Sequence, residues 1–262
     1  IWKSVADNGM KIFGISQREL PLLTYSIVIE GGHLLDNPAK PGFARFTAQM
    51  LNEGTKNRTP EELEEEIQLL GAIINVGCSD ERITISVNTL SRNFEKTLAL
   101  VEEMLLEPRW DEEQFSLNKT RTINNLKRNL ADPGYVANAA FNKIVLGADN
   151  ILSTDASGTV ESVETITMED LKSFYEKNIS PSVANFLIVG DIDQARVDKA
   201  LKVLGERWNA RDVVMPELTF PTVPEKSSIH FVDIPGAKQS VINIGNISIT
   251  RKTITTWEVA TN

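Results

Sequence analysis

The sequence predicts an α+β fold, and three observations predict it. Strand-type runs occur in two neighbouring groups, at residues 10–32 and 72–90. Segments bounded by capping residues and glycine stops lie between and after them. Within those segments apolar residues recur at helical spacing, as Phe94, Leu98, Val101 and Leu105 do.

Taken in order, Met10–Ile15 (MKIFGI) and Leu22–Gly32 (LLTYSIVIEGG) flank the polar turn SQRELP and read as a strand pair. After DNPAKPG comes a helix within Gly42–Thr55 (GFARFTAQMLNEGT), closed by Gly54. In TPEELEEEIQLLG, Thr59 is the N-cap, Pro60 the first helical residue, Glu62 the third member of a capping box and Gly71 the stop. Two strands follow, Ala72–Ser79 and Arg82–Leu90, separated by Asp80-Glu81. The helix of SRNFEKTLALVEEMLLEP comes next, then one capped by Asp111 and running through Leu130. Pro133 starts another, ending at Gly147. Thr167 caps MEDLKSFYEKN, ANFLIVG (184–190) is a buried strand, and Asp191 is read as the cap of a last helix towards Trp208.

Residues 1–210 are expected to form one domain and residues 211–228, with Pro216, Pro221 and Pro224, a linker. Ser228–Ile249 then repeats the opening strand–turn–strand plan at an offset of about 220 residues. Residues 229–262 therefore read as the first hairpin of a second, truncated repeat, too short to build a core of its own.

Composition narrows the function. A net charge of −9 gives a surface that repels phosphate backbones, so no nucleic acid is expected as a partner. The lone Cys78 allows no internal disulfide and sits in an apolar run, as a small hydrophobe does. With only His33 and His230 in the chain, a histidine-rich metal site is ruled out by number. No run approaches the roughly 18–20 apolar residues needed to span a bilayer, and no charged-then-apolar leader opens the chain.

The succession of hairpin, GG, PG.A....ML.EGT, PEELEEEI..LG and F.....EEMLLEP.WDEEQF resembles the M16 zinc metallopeptidases, the family of pitrilysin, insulinase and mitochondrial processing peptidase. The resemblance runs from about residue 8 to residue 249. It implies the LuxS/MPP-like metallohydrolase fold, a mostly antiparallel sheet with helices packed on one face. Catalytic members carry H-x-x-E-H on the helix that here spans Gly42–Thr55. Histidines at i and i+4 share a helical face and can bind one Zn²⁺, while the glutamate acts as general base on a metal-bound water. A glutamate on a later helix is the third protein ligand.

Transferred to this sequence, the first histidine falls on Arg45, the glutamate on Ala48 and the second histidine on Gln49. The third ligand falls on Asn125, flanked by Asn124 and Leu126. Arg45 has donors but no lone pair, Ala48 cannot move a proton, and the two carboxamides are poor zinc ligands. The expected site is therefore degenerate: no catalytic residue, no metal and no cofactor in this chain. Glu53 and His33 are expected to be a helix-end carboxylate and a surface histidine rather than substitute ligands. Phe43, Phe46, Met50 and Leu51 are expected to build core on the helix's other face, with Arg45 and Gln49 paired to nearby acids or water.

The resemblance then implies a non-catalytic copy that closes a peptidase chamber and helps to hold peptide substrate for a catalytic partner. That M16 domain or subunit, joined in cis or in trans, would carry the zinc. Peptide would add as a strand along Asn75, Val76, Gly77 and Cys78. The same resemblance allows a purely structural module with no part in proteolysis, and points to a bacterial periplasm or cell envelope.

Overall fold

A computed structural model describes residues 1–217, 226–236 and 239–245. Its strands are β1 (Trp2–Val5), β2 (Lys11–Ser16), β3 (Leu22–Glu30), β4 (Ile73–Cys78), β5 (Arg82–Leu90) and β6 (Ala184–Gly190). They form one sheet in the order β1-β2-β6-β3-β5-β4. Every neighbouring pair is antiparallel except β2 with β6. The mostly antiparallel sheet expected from the sequence is the sheet observed.

Two expectations change. β2 and β3 are not hydrogen-bonded partners, because β6 lies between them, parallel to β2 and antiparallel to β3. ANFLIVG can occupy that inner position because both its backbone edges are bonded there and Phe186 and Ile188 are fully buried. β1 was not anticipated, since WKSV is too short to show a period; it pairs with β2 as the edge strand.

Nine helices are assigned among the described residues: α1 (Phe43–Met50), α2 (Pro60–Leu69), α3 (Phe94–Leu106), α4 (Glu112–Asn129), α5 (Pro133–Leu146), α6 (Val160–Thr165), α7 (Met168–Asn178), α8 (Gln194–Ala200) and α9 (Lys202–Arg207). The caps read from sequence are present. Thr59 and Glu62 form a reciprocal capping box on α2, Asp111 accepts from Glu113 and Gln114 N–H, and Thr167 accepts from Asp170 N–H. The cap of the last helical segment differs. Asp193 accepts from Arg196 N–H, at 2.9 Å, whereas Asp191 accepts from the Ser91 hydroxyl at 3.2 Å. That segment is also split into α8 and α9 at Leu201.

The helical layer covers the sheet face bearing Leu23, Tyr25, Ile27, Ile83, Ile85, Phe186 and Ile188, all buried. Tyr25 anchors it, with its ring 5.5 Å from both Phe94 and Phe186 and its hydroxyl on Thr97. The opposite face keeps Thr24, Asn88, Leu187 and Val189 exposed. No strand is assigned in residues 226–236 or 239–245; the rest of the expected second hairpin lies outside the described residues.

Candidate functional site

The site is built around α1, which is wedged between two clusters. Its small residues Ala44 and Ala48 meet the sheet-side cluster, while Phe46 and Met50 enter a second cluster with Phe115, Leu126, Val163 and Leu171. Phe46, Met50 and Leu51 are fully buried and Phe43 is half-buried, as the sequence suggested. Ala48 is also buried, so α1 has core on two sides. Small side chains toward the sheet let the helix approach it closely. Gly54, with φ of +87°, turns the chain after α1; a Cβ there would meet Arg58 O at 2.7 Å.

The entry to α1 is a polar anchor. Gly32, at φ +49°, leads into a 3₁₀ turn, Gly32–Leu35, that places His33 in the interior. His33 is 0% exposed, not a surface histidine as expected from sequence. Its Nδ1 lies 2.9 Å from Asp36 Oδ2. Its Nε2 faces two carbonyl oxygens, Ile151 O at 3.1 Å and Thr154 O at 2.9 Å. Every partner offers an acceptor, an arrangement that favours the doubly protonated ring. Burial opposes that charge, but the Asp36 hydrogen bond and charge, with the Thr154 carbonyl and Asp80, outweigh it and raise the His33 pKa. Asp36 in turn accepts from Gly42 N–H (2.7 Å) and Ala44 N–H (2.8 Å), satisfying the first donors of a helix whose N-cap residue, Gly42, has no side chain to do so.

The positions that correspond to the metal motif are placed differently. Arg45 is exposed and makes no ion pair among the described residues. Ala48, onto which the resemblance carries the general base, is buried and offers only a methyl group. Gln49 is half-buried, and its Oε1 is enclosed without a hydrogen-bond partner among the described residues. Of the expected pairing with acids or water, no acid meets Arg45 or Gln49 among the described residues. Asn125 lies exposed on α4, where its Oδ1 accepts from Arg128 at 2.6 Å. Of its neighbours, Asn124 is exposed and Leu126 is buried against Phe46 and Met50. The inward face of α4 carries Phe115, Asn118, Thr122 and Leu126. Glu53 is held by Asn118 Nδ2 at 2.9 Å, which ties the end of α1 to α4. A guanidinium, a methyl and two carboxamides, one of them turned to solvent, do not fit Zn²⁺. The described residues hold no group of three or more His, Cys, Asp or Glu that could bind a metal.

β4 lies at the edge of the sheet, with Asn75 and Gly77 exposed and Val76 and Cys78 half-buried. Burial pushes the Cys78 thiol up to about 12, with Asp36 and Asp80 reinforcing and Arg45 opposing; it is a thiol, not a thiolate, near neutrality. Asn52, one turn beyond Ala48, reaches this strand. Its Oδ1 accepts from Val76 N–H at 3.2 Å, and its Nδ2 donates to Val76 O at 3.1 Å and to Ala48 O at 3.1 Å. Sequence reading missed Asn52, because an asparagine after a helix looks like an ordinary turn residue.

With this geometry in view, comparison with known proteins is informative. The family model for insulinase (peptidase family M16) matches residues 16–148. The chain belongs to peptidase family M16. The model for the M16 inactive domain matches residues 165–256. Among M16 relatives, the non-peptidase homolog YmxG of Helicobacter pylori is 27% identical over 190 residues, covering 72% of this chain and 43% of that protein. Cytochrome b-c1 complex subunit 1 of Homo sapiens is 23% identical over 220 residues, covering 82% and 45%. The crystal structure of the M16 inactive domain from Pseudomonas fluorescens superposes with a TM-score of 0.79 at 21% identity, over 85% of this chain and 54% of that one. The chain spans about half the length of the curated relatives it matches. This is an M16-like domain of the inactive kind, and no helix among its described residues is long and apolar enough to cross a membrane.

Proposed function

We propose that this chain is a non-catalytic M16 copy that closes a peptidase chamber and helps to hold peptide for an H-x-x-E-H partner, in cis or in trans. The observation that carries the reading is Ala48: a buried methyl group stands at the position onto which the resemblance carries the general base, and the helix around it is packed on both sides. Arg45, Gln49 and Asn125 add no lone pair suited to zinc, so this chain binds none and any zinc belongs to the partner. The likeness to a protein named a non-peptidase homolog supports the same view. Residues 229–262, as the start of a second repeat, and a place in the bacterial envelope are part of this proposal.

The test is reconstitution with a copy bearing the intact motif. Peptide cleavage should rise when the chain is added, and metal analysis should find no zinc that is retained by the chain alone. Equal cleavage with and without the chain, or one tightly held zinc per chain, overturns the reading. The alternative, a purely structural module, is favoured by the likeness to a subunit of the cytochrome b-c1 complex. It predicts a partner whose assembly depends on the chain while its cleavage rate does not.

A further inference from the structure

The outward edge of β4 is partnered at its centre. In an antiparallel pair, ladder bonds alternate along a strand, so every second residue turns its N–H and C=O away from the neighbour. Ser79 N–H donates to Arg82 O at 2.9 Å, and the pairs Gly77 with Thr84 and Asn75 with Ser86 continue that register. The outward groups therefore belong to Ile74, Val76 and Cys78. At the centre of that row, both groups of Val76 are bound by the one carboxamide of Asn52, as an added strand would bind them. Just beyond the row, Ala72 N–H donates to Ile67 O at 3.1 Å and Asp80 O accepts from Leu34 N–H at 2.9 Å.

We infer that Asn52 is a built-in competitor for the β4 edge: its carboxamide takes the place of one residue of an incoming peptide strand. An unpaired edge invites any extended chain, and a side chain that satisfies the edge closes it without adding a strand. Peptide pairs with β4 only when Asn52 swings off Val76. The edge in this copy is a gated site with an extended, main-chain-recognised peptide as its occupant. This rests on the reading that the copy meets peptide, but its test needs no catalytic partner.

The probe is a short fluorescein-labelled peptide of alternating valine and lysine, the lysines suiting a chain of net charge −9. Binding is measured by anisotropy to the wild-type chain, Asn52→Ala and Asn52→Asp. Asn52→Asp keeps the acceptor for Val76 N–H but loses the donor to Val76 O. Asn52→Ala should bind about tenfold more tightly than wild type, since two competing hydrogen bonds are removed, with Asn52→Asp between them. Methylating alternate peptide nitrogens should abolish the gain. Amide exchange at Val76 should quicken in Asn52→Ala with the rest of the sheet unchanged, which separates an opened edge from an unfolded one. Equal affinity for wild type and Asn52→Ala, no binding by either, or indifference to N-methylation overturns the inference. None of these outcomes touches the reconstitution result above.

Discussion

The entry to α1 and the middle of the same helix lie within two turns of one another and treat their polar groups in opposite ways. At the entry, His33, Asp36 and the N–H groups of Gly42 and Ala44 are all matched, in a region with almost no solvent. In the middle, Arg45 has no acidic partner among the described residues and Gln49 Oε1 is enclosed without one. A buried group that holds the backbone must be satisfied or the fold loses stability. Arg45 and Gln49 hold no backbone group among the described residues, so a poor fit there costs the fold less. The difference separates what keeps the helix in place from what would have made it catalytic.

The largest effect that could break this comparison is at Asp36. Asp36→Ala removes the acceptor for two helix N–H groups and strands a buried imidazolium, so it should cost about 3–5 kcal/mol in urea unfolding. A loss under about 1 kcal/mol would show that the anchor holds nothing.

Next comes pH. The His33 pKa is raised in the folded state. Its contribution to stability is therefore complete below the unfolded value of about 6.5 and is lost as pH rises through the higher folded value. The denaturation midpoint should fall as pH rises above about 6.5, as the link from the ring to Ile151 and Thr154 weakens. In His33→Gln that part of the slope should vanish; an unchanged slope would mean that the ring is not charged in the fold.

Smaller effects sharpen the other half of the comparison. Gln49→Leu removes an enclosed carbonyl oxygen that lacks a partner and should raise stability by about 0.5–1 kcal/mol, whereas a matched carboxamide would make the change destabilising. Arg45→Ala should shift unfolding by no more than about 0.5 kcal/mol, as for an exposed residue without an ion pair.

Much of the local structure was legible in the sequence for a local reason. Thr59 with Glu62, Asp111 and Thr167 cap helices through bonds to residues within three positions, and the β4–β5 hairpin joins neighbours across Asp80-Glu81. The non-local features were not legible. Nothing in ANFLIVG says that it slips between β2 and β3, and nothing around His33 says that carbonyls from residues 151 and 154 will enclose it. The site divides in the same way: the missing donors at Arg45, Ala48 and Gln49 are a matter of residue type, while the solvent-facing direction of Asn125 is a matter of packing.

By itself, then, the sequence determined most of the helices, the caps at Thr59, Asp111 and Thr167, the family likeness and the residue types at positions 45, 48, 49 and 125, because each depends on side-chain chemistry or on bonds a few residues apart. The tertiary structure alone decided the strand order, the interior place of His33 and the pairing of Asn52 with Val76. Those depend on which distant backbone groups are brought within hydrogen-bonding distance, and that is set by how the sheet and helices pack together.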